Sequence, residues 1–214
     1  MNMVQVLNFP RKCVYLIGAR ASGKSTVGRL LAARLNWPLA ETDALAEEIL
    51  GASISRVVSE QGWRAFREAE GLALKQAASL EPAVISTGGG IVLSDENREF
   101  MNKTGLIVYL RASPELLEKR LWDDAGARPS LTGVHPAKEI AQVLADREEL
   151  YRELAHLTVD VERSAEEICK HIYAILLMRG AKGNLLKPVH DSSGSGSADG
   201  SGGMDDPDDK GMMQ

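Results

Sequence analysis

Short apolar runs separated by longer amphipathic stretches set the rhythm of this chain. Residues 14–17 form an apolar run that stops at Gly18 and reads as a buried strand. Over Lys24–Leu35 the spacing turns helical, with Val27, Leu30, Leu31, Arg34 and Leu35 on one side. Residues 38–40 read as a second strand, and 43–49 and Ile54–Gln61 as helices, the latter capped by Ser53. A longer helix is predicted over Trp63–Ala78, a strand over Ala83–Ser86, a helix over 95–102 and a strand over 106–110. Ser113-Pro114 opens the next helix in the favoured cap-then-proline order. Residues 136–155 read as one helix, 157–161 as the last strand and 165–178 as the last helix. Strands alternating with helices predict an α/β fold, a mostly parallel sheet of about five strands with helices on both faces.

Punctuation and composition divide the chain. Residues 123–134 are polar and contain Gly126, Pro129 and Gly133, so they read as a mobile lid. Beyond residue 180 the chain turns to Gly, Ser and Asp with few apolar anchors; such a segment buries too little surface to offset its ordering entropy. We therefore expect an extension over 1–12, one folded domain over 13–180 and a disordered tail over 181–214. Residues 183–214 hold six Asp against Lys187 and Lys210, a net −4 of the chain's −5. The body has no global basic field, and nucleic acid is not an expected partner. No apolar run approaches the length of a membrane span, and the N-terminus has no apolar core of a secretory signal. Cys13 and Cys169 lie far apart without metal-type spacing and read as reduced, buried thiols. A cytoplasmic monomer is the expectation.

The strongest motif is Gly18-Ala19-Arg20-Ala21-Ser22-Gly23-Lys24-Ser25, between the first strand and the first helix. It fits G-x-x-x-x-G-K-[ST] in the context a phosphate loop requires. Gly18 and Gly23 let the backbone wrap phosphate oxygens, while N–H groups and the helix N-terminus face the anion. Lys24 reaches the β- and γ-phosphates, and the Ser25 hydroxyl ligates Mg²⁺. The segment Gly18 to Ser25, with Thr26 following, is thus the ATP side of a site whose acceptor is not yet specified.

Open α/β sheets bind ligands beyond the C-terminal ends of their strands. After the second strand comes Glu41-Thr42-Asp43, two carboxylates on one side of an extended segment. They suit a metal's surroundings and a substrate hydroxyl, or equally an acidic helix start that Asp43 caps. Arg67 has Glu70 three residues on, a spacing that fits a guanidinium held for a carboxylate or a solvated surface pair. After the third strand Gly88-Gly89-Gly90 forms either a close-approach backbone or a plain turn.

Taken together, the phosphate loop, Asp43, Trp63-Arg-Ala-Phe-Arg67-Glu, Ser86-Thr-Gly88-Gly89-Gly90, Val108-Tyr-Leu110, Arg128-Pro129 and Arg147-Glu-Glu-Leu-Tyr151-Arg152 resemble shikimate kinases in order and spacing over about residues 14–178. Asn97-Arg-Glu-Phe-Met and Leu131-Thr-Gly look like the second enterobacterial-type isozyme. The resemblance implies a P-loop NTPase fold of the nucleoside monophosphate kinase type. It also implies Mg-dependent transfer of the ATP γ-phosphate to the 3-hydroxyl of shikimate, a step toward chorismate and the aromatic amino acids. By the same resemblance Asp43 binds ring hydroxyls and serves as general base. Arg67 and Arg147 clamp the carboxylate, and Gly88, Gly89 and Gly90 meet the substrate through backbone. Arg120 packs on adenine and Arg128 folds over the transferring phosphate. Lys24 and Ser25 keep the roles already derived, and Glu41 contacts magnesium at one remove.

Three departures stand out. Ala21 occupies a position where the family usually has Gly; Glu41 replaces the first Asp of an Asp-x-Asp pair; Asp160-Val-Glu-Arg-Ser follows the last strand where Asp-Thr and a later Pro are common. If the backbone at Ala21 needs φ > 0, alanine costs on the order of 1 kcal/mol. His135 is expected as a surface or cap residue, His156, His171 and His190 have no partner pattern, and Trp37, Trp63 and Trp122 read as packing residues. A gluconate or nucleoside monophosphate kinase, and a shikimate-kinase-like domain that binds ATP or a metabolite without turnover, are the alternatives to test.

Overall fold

The computed structural model describes residues 13–123 and 136–181. Five strands form one wholly parallel sheet in the order β2-β3-β1-β4-β5: β1 Cys13–Ile17, β2 Leu39–Glu41, β3 Ala83–Ser86, β4 Gly105–Arg111 and β5 Leu157–Asp160. Every residue of β1 and β3 is buried, and so is β4 up to Leu110. Side chains alternate between faces, so continuous burial means that both faces are covered by helices. Tyr15, Leu16 and Ile17 of the central strand share one core with Ile85, Ile107 and Leu110 of its neighbours. Register is set by this apolar ladder, with Leu16 opposite Ser86 on one side and Val108 on the other.

Nine helices surround the sheet among the described residues: α1 Lys24–Leu35, α2 Thr42–Leu50, α3 Ile54–Gln61, α4 Trp63–Ala78, α5 Asp95–Thr104, α6 Pro114–Asp123, α7 Pro136–Ala145, α8 Glu148–Leu154 and α9 Ala165–Ala181. Helix α1 packs on α9 and β3, while α5 and α8 pack on β4. Helix α2 lies against α4, where Ala46, Phe66, Ala69 and Ala73 make a second small core. Ser53 caps α3, accepting from the Arg56 N–H, as its place before the apolar spacing predicts. Ser94 does the same for α5 through the Asn97 N–H.

Several expectations shift. The buried stripe of α1 is Lys24, Val27, Gly28, Leu31 and Ala32; Arg34 is exposed and stacks its guanidinium over Tyr173, 4.8 Å from the ring centre. The helix expected over 136–155 is two helices, α7 and α8, meeting at Arg147, whose φ of −122° leaves the helical region. A short 3₁₀ turn, Ile91–Leu93, follows the triple glycine. His156 has partners after all: its Nδ1 accepts from the Ile107 N–H at 3.0 Å and its Nε2 faces Asn102 Oδ1 at 3.1 Å. Trp37 packs against the core as expected, but Trp63 and Trp122 are exposed, Trp63 beside Arg67. Cys13 and Cys169 are buried and form no disulfide, and the Cys13 thiol donates to the Ala78 carbonyl at 3.8 Å. Of the lid expected over 123–134 and the tail expected over 181–214, Asp123 instead ends α6 and Ala181 ends α9; the rest of both, with Arg128, His135 and residues 1–12, lies outside the described residues. Among the described residues no helix is long and apolar enough to cross a membrane.

Candidate active site

The C-terminal ends of β1, β2 and β3 lie side by side, so the segments that leave them meet at one edge of the sheet. The phosphate loop leaves β1. Gly18 and Gly23 have φ of 142° and 94°, a backbone that glycine adopts freely. Ala21 sits at φ 65°, so the departure from glycine noted in the sequence carries left-handed strain. A Cβ on Gly18 would lie 2.7 Å from the Leu110 carbonyl oxygen; only glycine fits there. Lys24 is buried with its Nζ donating to the carbonyls of Gly18 (2.9 Å) and Ala19 (2.7 Å). These acceptors are neutral carbonyls; a charged phosphate oxygen is a stronger, charge-assisted acceptor for an ammonium. Arg120 pins the loop from outside, donating from Nη1 to Ala21 O at 3.2 Å and from Nη2 to Val161 O at 3.1 Å.

Across from this loop stands Gly88-Gly89-Gly90. It is anchored at its start, where the Thr87 hydroxyl donates to Leu16 O (3.0 Å) and the Gly88 N–H donates to Thr42 Oγ1 (2.9 Å). A Cβ on Gly89 would lie 3.4 Å from the Arg20 nitrogen and 3.5 Å from the Gly18 carbonyl oxygen. The triple glycine is therefore packed against the phosphate loop, and the plain-turn alternative fails. A Cβ on Gly88 would fall 2.5 Å from Asp43 Oδ1 and 2.8 Å from Glu70 Oε1, and one on Gly90 would strike the Arg67 guanidinium. The Gly89 carbonyl accepts from Arg147 Nη1 at 3.2 Å and from the Tyr151 hydroxyl at 2.5 Å. Asp43, Arg67 and Arg147, far apart in the chain, thus surround three consecutive glycines.

Local structure explains each placement. Asp43 lies in the first turn of α2; Glu41 holds the cap position without a side-chain cap bond, so Asp43 does not serve as the cap. Its carboxylate turns to Gly88 instead. Arg67 and Glu70 are not a solvated pair: Glu70 is 1% exposed, and its Oε2 accepts from Arg67 Nη1 at 2.6 Å. The Arg67 guanidinium also lies 5.4 Å from the Trp63 ring centre and 5.1 Å from that of Phe66. Glu70 Oε1 is buried with no hydrogen-bond partner among the described residues. Burial raises the Glu70 pKa above the ordinary carboxylate value, and Arg67 opposes that rise. Burial likewise pushes the Tyr151 phenol up to about 12, so it is a neutral donor at any working pH.

Asp43, Arg67, Glu70, the three glycines and Arg147 face one cavity of about 1030 Å³, while Thr42 and Tyr151 stand behind it. Arg20, Ala21, Ser22, Gly23, Lys24, Ser25 and Thr26 line its nucleotide side with Arg120. Glu41, Asp43, Arg67, the three glycines and Arg147 line the other. Gly18 and Ala19 stand behind, touching Lys24 through their carbonyls. Sequence reasoning missed Thr42, Trp63 and Phe66 as neighbours of the site, and Glu70 as a buried acid facing it. The run of three glycines that begins two residues after a strand was the available signal for such convergence; nothing in the sequence aimed it at Glu70. Among the described residues no group of three or more His, Cys, Asp or Glu is arranged to hold a metal alone. That donor set, a Ser25 hydroxyl with carboxylates nearby, fits Mg²⁺, which keeps waters and takes phosphate oxygens with one or two protein ligands.

The parallel sheet, the phosphate loop and a charged cavity opposite it define a P-loop phosphotransferase. The family model for shikimate kinase matches residues 20–177. A shikimate kinase of Oleidesulfovibrio alaskensis is 46% identical over 169 residues, covering 78% of this chain and 98% of the relative. A shikimate kinase 2 of Yersinia enterocolitica is 41% identical over 165 residues, covering 76% and 94%. The shikimate kinase from Acinetobacter baumannii solved in complex with shikimate superposes with a TM-score of 0.73 at 33% identity, covering 79% and 94%. The chain belongs to the shikimate kinase family.

Proposed function

We propose that this chain is a shikimate kinase, transferring the γ-phosphate of ATP to the 3-hydroxyl of shikimate and releasing ADP. One observation carries the reading: Asp43, Arg67 and Arg147 gather on a glycine loop packed against the phosphate loop, so that an acceptor held there faces the terminal phosphate. Two guanidiniums and a carboxylate around one glycine loop suit a substrate with one carboxylate and several ring hydroxyls. Arg67 and Arg147 bind the carboxylate and so choose which hydroxyl is turned to ATP. Asp43 accepts a hydrogen bond from the 3-hydroxyl and takes its proton as the oxygen attacks. The phosphorus–oxygen bond to the new ester forms as the bond to ADP breaks, and Lys24 moves from the Gly18 and Ala19 carbonyls to the transferring phosphoryl oxygens. Ser25, with Glu41 at one remove, would hold Mg²⁺, which would supply positive charge to the nucleotide's phosphates. Arg128 from the lid is assigned to the same charge, and Arg120 to the adenine.

The similarity of the chain to a protein solved in complex with shikimate supports the choice of acceptor. The nearly neutral body favours a small-molecule partner over nucleic acid, and a cytoplasmic monomer completes the reading. The test is coupled ADP release with MgATP and a panel of shikimate, gluconate and nucleoside monophosphates. Release that depends on shikimate is expected. Turnover of another acceptor with none of shikimate would overturn the reading, and binding of ATP and shikimate without release would favour a non-catalytic domain.

A further inference from the structure

Beside the groups assigned to the reaction stands a buried aromatic pair that the reaction as described above does not use. Tyr109 of β4 and Tyr151 of α8 are fully buried and stacked, with ring centres 5.0 Å apart and planes 19° from parallel. The Tyr151 hydroxyl donates to the Gly89 carbonyl at 2.5 Å, and the Tyr109 hydroxyl donates to Glu148 Oε2 at 2.5 Å. Glu148 follows Arg147, whose guanidinium donates to the same Gly89 oxygen. Thus β4, the break before α8 and the middle of the triple glycine are tied by three hydrogen bonds and one stack.

We propose that Tyr151, braced by Tyr109, is a positioning residue for the acceptor: its hydroxyl holds the Gly89 carbonyl and, through it, Arg147 and the glycine loop. The physical reason lies in the peptide plane. Glycine has no side chain to limit rotation, so a run of three has little intrinsic preference for one backbone setting. The Gly89–Gly90 peptide is trans, so fixing the Gly89 carbonyl also fixes the Gly90 N–H, which points the opposite way. Two donors converge on that carbonyl, and Tyr151 is the one that no bound carboxylate competes for. Its ring is fixed by the stack, whereas Arg147 must share its donors with substrate. On this reading Tyr151 keeps the loop set when Arg147 turns to the acceptor.

The inference rests on the shikimate kinase reading above. Its test is Tyr151→Phe, which keeps ring and stack and removes the hydroxyl alone. Steady-state kinetics with each substrate varied, together with thermal unfolding, read the effect. The KM for shikimate should rise by about three- to tenfold, the range of one neutral hydrogen bond, while the KM for MgATP stays within about twofold. A packing role alone would leave Tyr151→Phe like the wild type. An unchanged KM for shikimate, or equal rises in both KM values, would therefore overturn the inference. Wild-type protein that does not turn over shikimate would instead sink the parent reading, and this one with it.

Discussion

Replacing Gly88 by alanine adds one methyl group where two carboxylates meet. The new Cβ would lie 2.5 Å from Asp43 Oδ1 and 2.8 Å from Glu70 Oε1. Ordinary contact begins at 3.4 Å, so Asp43 Oδ1 must retreat by 0.9 Å if the loop holds. Glu70 has little freedom to yield, since it is 1% exposed and its other oxygen is tied to Arg67. The loop has little either, with the Gly88 N–H on Thr42 and the Gly89 carbonyl on Arg147 and Tyr151. Gly88 lacks a left-handed φ, so the alanine adds no backbone strain of its own. Both carboxylates must shift, and the larger displacement falls on Asp43, the group assigned to the attacking hydroxyl. A misplacement of about 1 Å typically costs about a hundredfold in rate, or about 2.7 kcal/mol of barrier. Coupled ADP release at saturating MgATP should show kcat down by about two orders of magnitude, with ATP affinity in a direct binding assay unchanged. Wild-type kcat in a folded Gly88→Ala protein would refute the convergence of Asp43 on this loop.

Other predictions follow from the same geometry. Arg67→Ala should raise the KM for shikimate by at least about thirtyfold and leave that for ATP nearly unchanged, because it removes one partner of a buried charge pair; equal changes in both would take Arg67 out of the acceptor site. Ala21→Gly relieves the φ of 65° and should stabilise the fold by about 1 kcal/mol, a rise of about 2–4 °C in Tm by calorimetry; a lower Tm would show that the loop is not strained there. Burial holds the Glu70 pKa above its ordinary 4.5, so between that value and the raised one the folded state binds more protons than the unfolded chain. The stability of the wild type relative to Glu70→Gln is therefore greatest in acid and falls as pH rises through that window. Urea unfolding of both proteins from pH 4.5 upward reads the slope, and a relative stability that rises with pH would contradict the assignment.

Elements bounded by local chemistry were legible in the sequence. Ile54–Gln61, Trp63–Ala78 and Ala83–Ser86 are observed with the expected ends, because Ser53, the glycines and the apolar spacing act within a few residues. The 136–155 segment was misread as one helix because its break at Arg147 has no local cause: no Pro or Gly interrupts it. The break coincides with side chains of residues 147 and 151 reaching a carbonyl some sixty positions away. The face of α1 shifted for a related reason, since the buried Lys24 serves the phosphate loop and Arg34 found Tyr173.

The phosphate loop needed no tertiary structure to be seen, because strand, glycine turn and helix N-terminus are consecutive and their chemistry is carried by the backbone. What Asp43, Arg67 and Arg147 do was ambiguous at the level of spacing, each having an ordinary surface role at the same interval. Only the packing of β1, β2 and β3 side by side brings their exits together, and only burial turns the Arg67–Glu70 interval from a solvated pair into a desolvated one. Periodicity reports which face of an element is apolar; it carries no information on which distant element covers that face. For this chain the residue types and the phosphate loop were written locally, and the cluster assigned to the acceptor formed only when three glycines were pressed between that loop and two arginines.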